Sequence, residues 1–323
     1  MQKELRPLSS RHSAGPADIR PDIPSNSTRP TRLRRIPLIV MKIRPVLQAL
    51  ADLFFPRECT VCGRRLIRSE RYLCMDCELD LPRTYFWQTE RNVMADKFNA
   101  LVQKRMDREL TIRERGVRPV GKGGPTHGKS HGHEPYARAA ALFFYDSRAG
   151  YRRIPQALKY DGAIGIGRHY ARRFASRLAA SPLYQGVTLV VPVPLHPLRQ
   201  WKRGYNQAAV IAREIAVALN APLDENLLYR RRRTRTQTQL TIGQKAANVD
   251  GAFAIRRNRL PLPGKTDSRH PTAVHVLLVD DVFTTGATLE ACHAVLRAAW
   301  QELGIAPHRT RISIATLAFV GKP

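Results

Sequence analysis

Two adjacent aspartates and a threonine-rich turn carry the clearest chemical signal in the sequence. Asp280 and Asp281 close the apolar segment "VHVLLVDD", which is typical of a buried strand. A helical pattern begins directly after the turn. Because the first N–H groups of a helix are free and the helix dipole is positive there, the turn has the donors of a phosphate site. The turn consists of Thr284, Thr285, Gly286, Ala287 and Thr288.

The aspartates favour a different chemical group, since carboxylates repel phosphate and accept hydrogen bonds from hydroxyls. An acid pair beside a phosphate cradle therefore predicts a ribose 5-phosphate, with the sugar hydroxyls on Asp280 and Asp281 and the phosphate in the turn. The alternative is a threonine-capped helix after a strand that merely ends in two acids. The turn has neither the lysine of a P-loop nor a GxGxxG pattern.

Four of the five cysteines form two closely spaced pairs, Cys59 with Cys62 and Cys74 with Cys77. Each pair directs two thiolates at one point, and two pairs complete the tetrahedral site that Zn²⁺ prefers. Four protein ligands leave no open position, so the predicted zinc is structural. Cys292 lies among the apolar residues of a helical pattern and is expected in the core.

A regular pattern of secondary structure begins at residue 137 and would position these residues. Continuously apolar strands alternate there with amphipathic helices. This alternation predicts an α/β fold with a parallel sheet flanked by helices. Ligands bind beyond the carboxyl ends of such strands. The strand "VTLVVPVP" ends at two prolines and faces the same crevice. There Arg199, Lys202 and Arg203 are expected to supply cations for a pyrophosphate, with Lys159 assisting them.

We divide the chain into four regions. Residues 1–41 form a disordered tail, 42–83 a helix and the cysteine pairs, 84–136 a connector with a flexible Gly/His-rich insertion, and 137–323 the sheet domain. Three alternatives stay open. Met41 rather than Met1 could be the true start, the helix within 42–56 could lie on a membrane instead of docking on the domain, and the histidines of the insertion could bind metal.

Charge indicates the kind of partner. Lys and Arg number 54 against 26 Asp and Glu, a net charge of +28. This excess favours phosphates, nucleic acid or an anionic surface, although a merely solvated basic surface is the alternative. No apolar run approaches the ~20 residues that span a bilayer, and the cysteine pairs suit a reducing compartment. We therefore expect a cytoplasmic protein, with the inner face of the membrane as a further location.

The segment from the strand through the threonine turn resembles the phosphoribosyl pyrophosphate motif of type I phosphoribosyltransferases. The resemblance implies that the acids hold the ribose hydroxyls and the turn holds the 5-phosphate. It also implies a Mg²⁺ ion that bridges ribose and pyrophosphate.

Further segments resemble the ComF family of competence-associated proteins. They are "VVPVPLHPLRQWKRGYNQAAVIA", "RRRRTRTQTQLTIGQKAANVDGAF", "ALKYDG" and the cysteine pairs, in a resemblance that covers roughly residues 42–320. It implies a phosphoribosyltransferase-like domain with an N-terminal zinc finger. It also implies a mobile hood at 230–248 that closes over the substrate, and we place Arg235 among the cofactor-binding residues.

Two functions follow from the resemblance. In the first, the protein binds phosphoribosyl pyrophosphate and Mg²⁺ and acts in DNA uptake by binding single-stranded DNA, with other competence proteins as partners. The arginine run at 230–233, Arg235, Arg57, Arg64 and Arg65 would contact the DNA backbone. In the second, the protein is an active phosphoribosyltransferase of nucleotide metabolism, similar to an amidophosphoribosyltransferase. No acceptor-binding motif is recognisable in the sequence, so whether catalysis occurs is left open.

Overall fold

The computed structural model describes residues 56–116, 134–145, 150–160, 163–231, 251–264 and 273–321. The predicted tail, the helix within 42–56 up to residue 55, the Gly/His-rich insertion at 117–133 and most of the hood lie outside the described residues. Pro56–Pro323 forms one compact unit.

The described helices and strands alternate along most of the chain. The helices are α1 Met75–Leu79, α2 Val93–Gly116, α3 Arg153–Tyr160, α4 Ile164–Ala179, α5 Pro197–Arg203, α6 Gln207–Leu219 and α7 Ala287–Glu302. The strands are β1 Ala139–Tyr145, β2 Leu189–Pro192, β3 Leu228–Arg230, β4 Phe253–Ile255, β5 Val274–Phe283 and β6 Thr310–Val320. None of the described helices is both long and apolar enough to cross a bilayer.

Four of the described strands form a parallel sheet in the order β1-β6-β5-β2. Successive residues along β6, from Ile312 to Phe319, are all buried, so both faces of the sheet are covered. The short strands β3 and β4 pair antiparallel beside it. The α/β fold with a parallel sheet flanked by helices is therefore confirmed.

Helix α4 shows why the apolar periodicity predicted the helices correctly. Its residues Ile166, Tyr170, Phe174 and Leu178 recur at helical spacing, and each is at most 2% exposed. The core cluster also contains Cys292 of α7, as predicted from its apolar neighbours.

The cysteine-bearing segment packs directly on the sheet domain. The Tyr151 hydroxyl donates a hydrogen bond to the Cys77 carbonyl (3.1 Å), and the Arg153 guanidinium donates to the Val61 carbonyl (3.2 Å). A Cβ at Gly150 would lie 2.8 Å from a Val61 methyl, so the contact requires a residue without a side chain there.

A second set of contacts is centred on Glu78 at the end of α1. Its carboxylate accepts a hydrogen bond from the Tyr170 hydroxyl (3.1 Å) and pairs with Arg83 (3.1 Å) and Arg173 (2.5 Å). Because Tyr170 is fully buried, the acid compensates a hydroxyl that would otherwise be desolvated without a partner. These contacts join the cysteine segment to α4.

Candidate functional site

A cleft opens where β5 continues beyond its neighbour β2. The pairing of β2 with β5 ends at Pro192 and Val279, and the Val193 N–H still donates to the Val279 carbonyl (2.8 Å). Strand β2 ends at Pro192, and Pro194 follows two residues later, a residue type that disfavours further strand pairing. Strand β5 runs on to Phe283 while pairing only with β6. The sequence predicted a strand that ends with the acid pair, whereas the observed strand continues for two residues beyond it, to Phe283.

The acid pair lies on this extension of β5. The Asp281 carboxylate is 8% exposed and lies 2.6 Å from the Lys159 ammonium at the end of α3. Burial raises the pKa of Asp280 to about 7, and the neighbouring Asp281 charge adds to that rise. Asp280 is therefore a carboxyl that changes charge near neutral pH, beside an acid that is held in an ion pair.

The turn between β5 and α7 depends on Gly286. Its φ of 79° lies in the left-handed region, which favours glycine. A Cβ there would lie 2.6 Å from Phe283 Cζ and 2.9 Å from Leu101 Cδ1. The glycine thus brings the backbone close to two packed side chains. Gly286 and the first residues of α7, Ala287 and Thr288, line the cleft, and a helix start of this kind suits a phosphate.

Helix α7 is anchored by a buried ion pair just after this turn. Glu290 is 8% exposed and accepts two hydrogen bonds from Arg105 of α2, one of them 2.8 Å long. Sequence reasoning did not find this pair, because its members lie far apart in the chain. It fixes the first turn of the helix that carries the phosphate cradle.

Arginines from two elements also line the cleft. Arg199 and Arg203 come from α5, and Arg230 comes from the end of β3. The Arg230 guanidinium lies 5.0 Å from the centre of the Phe253 ring. Burial lowers the pKa of Arg230, and the Arg199 charge lowers it further, which shows how close two cations lie in the cleft. An anion bound in the cleft would favour the charged form of Arg230 and would offset its repulsion from Arg199.

Gln207 adds a neutral donor at the start of α6. Its Oε1 accepts a hydrogen bond from the Arg203 guanidinium (3.2 Å). That contact leaves Nε2 buried, and no acceptor among the described residues reaches it. The side chain is only 3% exposed and borders the cleft. A buried donor of this kind is costly unless an acceptor binds, so it indicates a ligand with oxygen atoms.

The cleft encloses about 400 Å³. The structure brings together nearly all of the residues that the sequence predicted for it, and they lie along its walls: Lys159, Arg199, Arg203, Asp280, Asp281, Thr284, Gly286, Ala287 and Thr288. Thr285 is half-buried in the turn but is not among the lining residues. Arg235 lies outside the described residues.

The four cysteines of the two sequence pairs are free thiols and form a second site. Their sulfur atoms all lie within 4.8 Å of one another, and those of Cys62 and Cys74 are 3.7 Å apart. Burial acts to raise the pKa of the Cys59 thiol, but backbone N–H groups around its sulfur lower the pKa to about 6. The thiolate is the form that binds metal, so the cluster has the donors and the size to hold a metal ion.

Comparison with known proteins finds curated relatives that match part of the chain. The chain is 35% identical over 148 residues to competence protein F of Haemophilus influenzae, covering 44% of this chain and 59% of that relative. It is 35% identical over 144 residues to the DNA utilization protein YhgH of Salmonella typhi, covering 43% and 58%, respectively. Both relatives support the resemblance to the ComF family that the sequence motifs carry. A DNA utilization protein YhgH of Escherichia coli K12 is 34% identical over 109 residues, which is 33% of this chain and 43% of that protein.

The aligned part spans less than two thirds of these ComF relatives, about 59% of the first. No protein-family model matches the chain. The likeness therefore rests on these partial alignments, and it agrees with the resemblance seen in the sequence motifs.

We predict that Gly286→Ala destabilises the protein more than Gly304→Ala. Both glycines have a positive φ, 79° and 71°, so both alanines would be strained by about 1–2 kcal/mol. A Cβ at Gly304 meets no atom within 4 Å, whereas the one at Gly286 clashes with Phe283 and Leu101, adding about 1–3 kcal/mol. Urea unfolding of the two variants measures the difference, and equal destabilisation would contradict the packing role of Gly286.

Proposed function

We propose that the protein binds phosphoribosyl pyrophosphate with Mg²⁺ in the cleft and acts in DNA uptake by binding single-stranded DNA. The observation that carries the proposal is the presence of a group of arginines and an acid pair in one cleft. Arg199, Arg203 and Arg230 line the cleft together with Asp280 and Asp281 of β5 and the turn at Gly286. A ligand that carries phosphates and hydroxyls matches that set of groups.

The phosphate groups of the proposed ligand would accept hydrogen bonds from the donors that line the cleft. The N–H groups at the start of α7 and the hydroxyls of Thr284 and Thr288 suit a phosphate monoester. The guanidinium groups of α5 and the free Nε2 of Gln207 suit a pyrophosphate. Oxygen acceptors from the ligand would compensate both the buried amide and the crowded cations.

The ribose hydroxyls and the Mg²⁺ ion of the proposed ligand would interact with the two acids of the cleft. Hydroxyl donors and Mg²⁺ both favour ionised carboxylates, and Mg²⁺ binds through one or two carboxylates together with substrate phosphates. Asp280 and Asp281 are the residues that would hold them. Lys159 would compensate part of the acidic charge, since it already contacts Asp281.

We expect phosphoribosyl pyrophosphate to bind in the presence of Mg²⁺ and the double variant Asp280→Asn, Asp281→Asn to weaken that binding by at least about tenfold. The amides still accept hydrogen bonds, but they lack the charge that favours hydroxyls and metal. Titration calorimetry measures the affinity. Asp107→Asn, at an exposed acid of α2, is the control. Wild-type affinity in the double variant would refute the role of the acids.

The same titration has a pH dependence that identifies Asp280. Because its pKa is about 7, the carboxyl is protonated below pH 7 and ionised above it, so affinity should rise between pH 6 and 8. At one pH unit below its pKa only about a tenth of the Asp280 carboxyl is ionised. We therefore expect the affinity for phosphoribosyl pyrophosphate to rise several-fold over this pH range. The rise should vanish in the single variant Asp280→Asn.

For the cysteine cluster we propose a structural zinc ion. Zn–S bonds of about 2.3 Å in a tetrahedron separate the sulfurs by about 3.8 Å. The distance between Cys62 and Cys74 sulfurs, 3.7 Å, agrees with that geometry. Four thiolates from the chain leave no position for substrate, so the ion would hold the segment together and take no part in chemistry.

We expect elemental analysis to find one zinc ion per chain, and Cys62→Ser to lose it. The control is Cys292→Ala, because this fifth cysteine is buried in α7 and lies outside the cluster. Limited proteolysis should then cut Cys62→Ser within residues 57–83 faster than the wild type. Stoichiometric zinc in Cys62→Ser, or zinc absent from the wild type, would contradict the assignment.

The DNA-binding part of the proposal rests on relatives and on charge. The matched proteins are named for competence and DNA utilization. The net charge of +28 favours a phosphate backbone, since cations that neutralise phosphates release counterions. Arg231 is exposed directly after β3, and the arginine run continues from it.

We predict that single-stranded DNA binds without sequence preference and that its affinity falls steeply with salt. Replacing Arg231, Arg232 and Arg233 with alanine should make the plot of log affinity against log salt concentration less steep. The slope should change by about 0.7 for each phosphate that these arginines neutralise. Anisotropy titrations at several salt concentrations measure the slope. Arg257→Ala is the control, because that arginine already pairs with Glu302 (2.5 Å). An unchanged slope in the triple variant would remove these arginines from the interface.

The cleft also supports a second function, an active phosphoribosyltransferase. The same acids and arginines would suit a reaction that displaces pyrophosphate from the ribose. Pyrophosphate release from phosphoribosyl pyrophosphate, measured across a panel of bases and amines, distinguishes the two functions. Release that depends on one acceptor supports the enzyme, and binding without release supports a ligand-responsive DNA-binding protein.

A further inference from the structure

Helix α5 presents two different faces. Arg199 and Arg203, four residues apart, lie on one side of the helix and line the cleft. The other side faces solvent with Trp201, which is 82% exposed, and Leu198, which is 51% exposed. Lys202 is exposed beside them. The helix therefore separates the cations of the cleft from an outer surface that combines an indole ring with a cation.

The helix that carries this indole is well anchored. The His196 side chain accepts a hydrogen bond from the Leu198 N–H (3.3 Å) and caps the start. Gly204, with a φ of 78°, caps the end, and its N–H donates to the Gln200 carbonyl (2.7 Å). The exposure of Trp201 is thus a property of a fixed element, because the helix is closed at both ends.

The other two tryptophans of the chain belong to the core. Trp87 and Trp300 are 4% and 1% exposed, and the Trp300 Nε1 donates to the Pro261 carbonyl (2.8 Å). The exposed indole of Trp201 and the neighbouring Leu198 together leave apolar surface in water, and Lys202 adds a positive charge beside them. This combination favours a partner that offers a flat apolar face and negative charge. Bases and phosphates of a single strand offer both.

We propose that Trp201 is a stacking platform for a base of single-stranded DNA, with Lys202 contacting the adjoining phosphate. This inference rests on the proposed DNA-binding function and adds to it a residue and an energy source that backbone contacts do not provide. A second copy of the chain fits this surface less well, because the net charge of +28 would bring like charges together. An anionic lipid surface is the competing occupant that the experiment separates.

The fluorescence of Trp201 provides a direct test, because the other two tryptophans are buried. In the free protein acrylamide should quench one emission component, and that component should be missing from Trp201→Phe. A short thymidine oligonucleotide should quench the same component. Trp201→Leu, which keeps apolar surface but loses the aromatic ring, should bind the oligonucleotide about tenfold more weakly, and Trp201→Phe should retain most of the affinity.

The outcomes separate this inference from the function on which it rests. If the wild type and Trp201→Leu bind the oligonucleotide equally well, the stacking role of Trp201 is wrong, while the proposed binding of single-stranded DNA is supported. If the wild type binds no oligonucleotide even at low salt, both fall. Phosphatidylglycerol vesicles that shift Trp201 emission to the blue, with no quenching by the oligonucleotide, would assign the surface to a membrane and overturn the inference.

Discussion

The cleft depends on the unequal lengths of two neighbouring strands. Strand β2 stops at Pro192, and β5 continues through Asp280 and Asp281 with β6 alone as its partner. Had β2 continued, its backbone would have occupied the edge that now faces the cleft. The prolines therefore do more than end a strand, since they leave room for a ligand beside a carboxyl pair that the rest of the sheet holds rigidly.

The cysteine cluster and the acid pair lie at opposite ends of one short helix. The turn and first residue of α3 contact the cysteine segment through Tyr151 and Arg153, and its last turn carries Lys159, which pairs with Asp281. The helix has eight residues and behaves as one rigid element over that length. Disorder in the cysteine segment would therefore displace the lysine that compensates the acids. The metal proposed for the cysteines would therefore influence the electrostatics of the cleft without taking part in its chemistry.

The sequence predicted the parts of the site that depend on local pattern. Apolar periodicity located β5 and α7, and Gly286 between them followed from its place before a helix. Contacts between distant elements were not predictable in the same way. Arg230 belongs to a run of four arginines that was predicted to contact DNA, yet pairing of β3 with β4 places it over Phe253, where it lines the cleft. The free donor of Gln207 likewise arises only because Arg203 occupies its oxygen.

The acid pair also explains why the two proposed ligands would occupy different surfaces. A cleft lined only by arginines would accept any polyanion, including a nucleic-acid backbone. Asp280 and Asp281 oppose that, because each ionised carboxylate repels phosphates and favours the hydroxyls of a sugar. Deoxyribose within a DNA chain has no pair of free hydroxyls to offer these acids. A DNA strand is thus disfavoured inside the cleft, and the outer face of α5, which has an exposed cation and indole, provides an adjacent surface without that repulsion.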